Sequence, residues 1–267
     1  MPATVSQLWI YPVKSLKGIR VESAPVTARG LAHDRRFVVV EPDGAFLTQR
    51  EVPAMATIWT EIDAGRLRLA APDFDEVSVP LAPAEGERLR VEVWDSVTDA
   101  LAPSPAADRW LSDVLGRPCR LAWMPETTRR ESRAQYAGPG RLVGYADGYA
   151  HLVISEASLA ALNARLPSPV PMDRFRPNVV LAGTGAFEED GWGEFSLGSA
   201  RLRMAKPCGR CPVTTTDQST GVVTGPEPLA TLGAWRPSEA FGARFGMNAV
   251  TLAEGEVRVG DEALPAG

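Results

Sequence analysis

Apolar and polar positions alternate in short runs along most of this chain, the signature of half-buried strands. The segment "VSQLWIYPV" (5–13) opens the series. In "RRFVVVEPDGAFLTQR" (35–50) two apolar runs flank Pro42-Asp43-Gly44, where Pro presets φ and Gly accepts a positive one. "WTEIDAGRLRLAA" (59–71) repeats the scheme around Ala64-Gly65, and "LRVEVWDSVTDAL" (89–101) alternates like one half-buried strand. Short strands punctuated by turns every ten or so residues predict a barrel or sandwich.

Helical periodicity is rare. "SPAADRWLSDVLG" (104–116) combines Ser104 as N-cap, Pro105 at the first helical position and Gly116 as a stop. Leu159, Leu162 and Leu166 sit at helical spacing behind Ser155, a second candidate cap, and "EPLATLGAW" (227–235) fits one short helix. The polar stretch 125–141 ends in Gly-Pro-Gly and reads as a mobile linker, dividing the chain into units at 1–122 and 123–267.

The chain has 267 residues, 45% of them apolar and 23% charged, enough for a sizeable core. A net charge of −5 gives no reason to expect nucleic acid or an anionic membrane as partner. The N-terminus lacks the pattern of a secretory signal and no apolar run reaches membrane-spanning length, so the expected compartment is the cytoplasm. Three cysteines do not make a disulfide framework.

Two of those cysteines, Cys208 and Cys211, share the stretch "RMAKPCGRCPVTTTDQSTG". A zinc clamp would need further ligands from Cys119, His33 or His151, which form no pattern. A thioredoxin-like dithiol needs a helix at the first cysteine, whereas Val213 and the three threonines after it favour a strand. Two inert buried thiols are the third alternative. Lys206 and Arg210 flank the sulfurs, and Pro207 and Pro212 stiffen the loop. A positively framed thiolate on a rigid loop suits a soft metal carried by an anionic cofactor.

"KPCGRCPVTTTDQSTG" followed by "EPLATLGAWR" resembles the core motif of MOSC proteins. "MDRFRPNVVLAG" and "ADGYAHLVISEASLAALNARL" are similar to two further segments of that family. "LWIYPVKSLKG", "HDRRFVVVEPDGAFLTQRE" and "VEVWDSVTDAL" resemble the barrel domain that precedes MOSC in the amidoxime-reducing proteins of mitochondria and bacteria. The resemblance implies a mainly β fold with a few helices: a MOSC-type β-barrel packed with a smaller N-terminal β-barrel domain.

It also implies a molybdenum cofactor, a phosphorylated pterin dithiolene whose metal takes one protein thiolate. By matching positions that ligand is Cys211, beside Arg210, and the C-x-x-C spacing is incidental. Lys14, Ser15 and Arg35 match phosphate-side positions, Arg176 a cofactor-contacting arginine and Asp147 an acceptor for pterin N–H groups. Asn178 is placed to face the open side of the metal, in a catalytic role beside Cys211. Each has a plainer alternative. Lys14 sits near Lys17 and Arg20 as a surface cation would, and Asp147 is flanked by turn residues. Arg35 and Arg36 must point to opposite faces of a strand, and Arg50 was a weaker candidate for the same basic pocket.

The implied reaction is reduction of N-hydroxylated compounds such as hydroxylamines and amidoximes, with electrons from a separate ferredoxin- or cytochrome-like donor. No iron–sulfur cluster and no pyridoxal phosphate are expected in this chain. The alternative is a molybdenum-cofactor carrier, or a module passing sulfur through a Cys211 persulfide.

Overall fold

The computed structural model describes residues 2–266. The described residues are mainly β, with four α-helices, and their strands form four sheets. The largest has eight strands in the order 263–265, 194–197, 200–209, 244–253, 151–155, 179–182, 4–10, 19–21. A four-stranded sheet runs 37–40, 120–123, 96–102, 87–93, and two three-stranded sheets complete the set. Strands Thr4–Ile10 and Val179–Ala182 pair antiparallel, and Val179–Ala182 runs parallel to His151–Ser155. The opening strand of the chain is therefore stitched into the sheet built by its second half.

The helices follow their sequence signals. Pro105–Leu115 starts on Ser104, whose hydroxyl accepts from Ala107 N, and stops at Gly116 in the left-handed region. Ser155 caps Glu156–Asn163 in the same way, and such caps each contribute about 1 kcal/mol. Leu229–Trp235 forms the third expected helix. The hairpin Trp59–Asp63/Arg66–Ala71 turns at Ala64 and Gly65, both with positive φ.

Three local expectations are corrected. The stretch 89–101 is a hairpin, Glu87–Val93 against Ser96–Ala102, turning at Trp94 with φ 57°. Residues 125–141, expected as a mobile loop or linker, are packed down: Arg130 and Ser132 are buried, and the Arg130 guanidinium donates to the Gly144 and Ala146 carbonyls at 2.6 and 2.7 Å. After Cys211 the chain makes a 3₁₀ turn, Pro212–Thr215, instead of a strand. There Thr214 Oγ1 donates to Cys211 O at 3.0 Å and Thr215 Oγ1 to Pro212 O at 2.8 Å. Those side-chain bonds to carbonyls three residues back favour the tight turn over extension.

Two principal cores result. One lies under the large sheet, with Val5, Leu8, Leu181, Leu202 and Met247. The other packs helix Pro105–Leu115 against the N-terminal strands through Phe37, Val39, Leu67, Leu111 and Leu121. Cys119 is buried in this second core, remote from the other two cysteines in environment.

Candidate functional site

Every residue that the resemblance assigns to the cofactor or to catalysis lines one open cleft of about 760 Å³. Lys14 and Ser15 come from the loop after strand Thr4–Ile10, and Asp147 from the loop before His151–Ser155. Arg176 and Asn178 precede Val179–Ala182, and Arg210 and Cys211 follow the strand Ala200–Gly209. Arg50 reaches in from the N-terminal half. Gly144 sets the third loop: a Cβ there would stand 2.7 Å from Arg35 O, the carbonyl that accepts from Tyr145 N.

Lys14 is 5% exposed, which removes the surface-cation reading. Its ammonium pairs with Asp147 Oδ1, while Arg50 Nη2 donates to Asp147 Oδ2 at 2.9 Å. The same Arg50 nitrogen lies 3.4 Å from Cys211 Sγ. Burial alone would raise the Asp147 carboxyl, but Lys14 and Arg50 outweigh it and hold it ionised well below the carboxylate range. Burial lowers the Lys14 ammonium, with Asp147 as the main opposing effect. Arg130 donates to Asp147 O at 3.3 Å and completes the support of this loop.

Arg35 and Arg176 both pack on Tyr11, with guanidinium carbons 4.4 and 4.2 Å from its ring centroid. Arg35 Nη1 donates to Asp34 Oδ2 at 2.7 Å and to Asn178 Oδ1 at 3.2 Å; Nη2 donates to Arg176 O at 3.2 Å. Arg36 turns the other way, to Glu126 and Met124 O, but not by strand alternation: Arg35 lies in a turn with φ 47° ahead of the strand Phe37–Val40. Arg176 donates to Leu16 O at 2.7 Å and Gln218 Oε1 at 3.2 Å, and burial lowers its pKa to about 10. Both ends of the Asn178 amide are held: Oδ1 accepts from Leu152 N and Arg35, and Nδ2 donates once, to Trp9 O.

Ser15, Arg35 and Arg176 all adopt left-handed backbone conformations, with φ of 68°, 47° and 54°. Non-glycine residues held there cost about 1–3 kcal/mol each, and such strain concentrates at functional sites. The surroundings enforce it: Gln49 Nε2 donates to Ser15 O at 2.7 Å, and Gln49 and Gln218 exchange amide bonds at 3.1 and 2.8 Å.

Arg210 Nη1 donates to Cys208 Sγ at 3.0 Å and Nη2 to Phe175 O at 2.8 Å. Sequence reasoning assigned no role to Arg130, Tyr149 or Trp94, which hold or rim the Asp147 loop, and named His151 among zinc ligands that form no pattern. Tyr149 closes the "ADGY" segment, whereas Arg130 and Trp94 carry no signal of their own. His151 is buried in the cleft wall and burial holds its pKa down to about 3. Thr251 Oγ1 donates to Thr27 O at 2.8 Å, so it accepts from His151 Nε2 at 2.9 Å. That network assigns the Nε2–H tautomer and leaves Nδ1 without a partner.

The cleft therefore gathers Lys14, Arg35, Arg50, Arg176 and Arg210 against the single lining carboxylate of Asp147, with two thiols beside them. Among the described residues no three His, Cys, Asp or Glu side chains converge as metal ligands. A metal bonded by Cys211 would need its remaining donors from an anionic cofactor, and the surplus of cations suits one.

Residues 2–118 match the model of the MOSC N-terminal beta barrel domain, and residues 141–263 match that of the MOSC domain. The chain is similar to human mitochondrial amidoxime-reducing component 1, at 35% identity over 97% of this chain and 81% of that protein. It is also similar to the molybdenum cofactor sulfurase of Solanum lycopersicum, at 30% identity over 98% of this chain but 36% of that protein. Among solved structures, the YUAD protein of Bacillus subtilis aligns with a TM-score of 0.43 at 10% identity, covering 98% of this chain and 94% of that one.

Proposed function

The chain belongs to the MOSC family, with the N-terminal beta barrel domain ahead of the MOSC domain, and from that premise we propose that it is a molybdenum-cofactor-dependent reductase of N-hydroxylated compounds. The observation that carries the reading is the convergence of five cations from both halves of the chain around the Cys211 thiol. The relatives named amidoxime-reducing components supply the reaction class.

In this reading Lys14, Ser15 and Arg35 hold the cofactor phosphate, since an ammonium, a hydroxyl and a guanidinium all donate to phosphate oxygens. Arg176 and Arg210 add positive charge to the wall, and Cys211 is the thiolate ligand. Asp147 accepts from cofactor N–H groups while fixing Lys14 and Arg50. Asn178 acts by orienting Arg35 and closing the wall between Trp9 and Leu152. The cofactor, when bound, supplies the two-electron chemistry that removes the substrate oxygen. The electrons come from a separate donor protein of ferredoxin or cytochrome type.

The test is to purify the protein from a host that makes the cofactor, assay molybdenum and pterin, and follow benzamidoxime reduction with an artificial electron donor. Stoichiometric metal with turnover is the expected result. Metal without turnover would favour a carrier or sulfur-transfer role, and absence of metal after reconstitution would overturn both.

A further inference from the structure

Lys206 differs from every cation in the cleft wall. Lys14, Arg35, Arg50, Arg176 and Arg210 all donate to a carboxylate, amide, thiol or backbone carbonyl. Among the described residues the Lys206 ammonium has no hydrogen-bond acceptor and no acidic partner. It lies 5.4, 5.5 and 4.6 Å from the ring centroids of Tyr136, Tyr149 and Phe241. Three aromatic faces attract a cation but accept none of its protons in the geometry of a true hydrogen bond. Burial lowers its pKa, the Cys208 sulfur opposes that effect, and Arg133 reinforces it.

Tyr149 makes a second, independent observation. Its side chain lines the cleft and is 8% exposed, yet its hydroxyl has no partner. A buried hydroxyl without a partner is costly and calls for a ligand. Tyr149 is at once a wall of the cleft and a wall of the Lys206 cage. The Lys206 ammonium, behind the residues that line the cleft, therefore lies 5.5 Å from the ring of Tyr149, which does line it and whose hydroxyl has no partner.

We propose that Lys206 and Tyr149 form an anion subsite of the cleft that receives a carboxylate carried by the N-hydroxylated substrate. The proposal rests on the reductase reading above and names its substrate class. One ammonium and one hydroxyl match a monoanion better than a dianionic phosphate. The aromatic cage already holds an ammonium, so cationic substrates are disfavoured at this subsite.

The experiment compares 4-carboxybenzamidoxime with benzamidoxime on the molybdenum-loaded protein, in wild type, Lys206→Met, Lys206→Arg and Tyr149→Phe. Wild type is expected to favour the carboxylate substrate in KM. Lys206→Met narrows the KM ratio about 10-fold, the size of a charge-assisted hydrogen bond, and Lys206→Arg restores part of it. Tyr149→Phe narrows it about 3-fold, as one neutral hydrogen bond would. Calorimetric titration with benzoate gives a readout free of turnover: binding weakens about 10-fold in Lys206→Met. An unchanged KM ratio and unchanged benzoate affinity would overturn the proposal, as would loss of molybdenum from Lys206→Met, which would assign the lysine to the cofactor. If wild type holds metal yet reduces neither compound, the reductase reading fails, and the benzoate titration alone decides the subsite.

Discussion

Arg50 Nη2 stands 3.4 Å from Cys211 Sγ and 2.9 Å from Asp147 Oδ2, so one guanidinium of the N-terminal half joins the thiol and the carboxylate of the other half. Removing it leaves Lys14 as the only cation on Asp147 and takes the donor away from the sulfur. Arg50→Met is expected to reduce molybdenum retention about 10-fold, since a hydrogen bond to a charged group contributes about 1.5–3 kcal/mol. Arg50→Lys retains the charge but not the fork, and falls between. Metal content after gel filtration measures both.

Cys208 and Cys211 have separate guanidinium partners, Arg210 and Arg50. Cys211→Ser is expected to lose most of the bound molybdenum, whereas Cys208→Ser keeps it, because the site needs one soft ligand. Equal retention in the two variants would contradict the assignment of Cys211.

His151 gives a pH signature. Its folded pKa is lowered to about 3, while an unfolded histidine titrates near 6.5. Below about pH 6.5 the unfolded chain binds a proton that the folded chain refuses, so stability falls as pH drops from 6.5 towards 3. This group alone should remove about 2 kcal/mol between pH 7.5 and pH 5. His151→Phe is expected to flatten the wild-type curve by that amount in urea unfolding at the two pH values. A parallel pair of curves would show that His151 does not titrate in this way.

Gln49 and Gln218 join the two halves through reciprocal amides. Gln49→Leu strands the Gln218 amide and should cost about 1–3 kcal/mol, as should Gln218→Leu. The double variant is expected to be less destabilised than the sum, because the reciprocal amide bonds are then lost once and neither glutamine is stranded by the other's removal. Strict additivity in denaturant unfolding would remove the seam's energetic role.

Legibility in the sequence followed chemistry more closely than geometry. Ser104, Pro105 and Gly116 announced their helix because each solves a terminal backbone problem that only a few residue types solve. Lys14, Arg35, Arg176, Asp147 and Cys211 were readable as motif positions, and all of them line the cleft. The Trp94 turn was hidden because a bulky residue at positive φ gives no turn signal. The turn after Cys211 was hidden because β-branched threonines favour extension until their hydroxyls find carbonyls three residues back. Lys206 was readable only as a cation flanking the sulfurs, and Tyr149 only as one position of the "ADGY" segment. What sets them apart is a missing partner, and that is a property of three-dimensional neighbours.

The pairing of Thr4–Ile10 with Val179–Ala182 has a consequence for biosynthesis. The unit around Phe37–Val40 and Arg120–Trp123 closes on itself early, but the first strand waits for a partner made some 170 positions later. Such distant pairings form late, after a large loop has been closed. The Lys14–Ser15 loop inherits that delay, so the cleft is complete only after Val179–Ala182 has been made and paired.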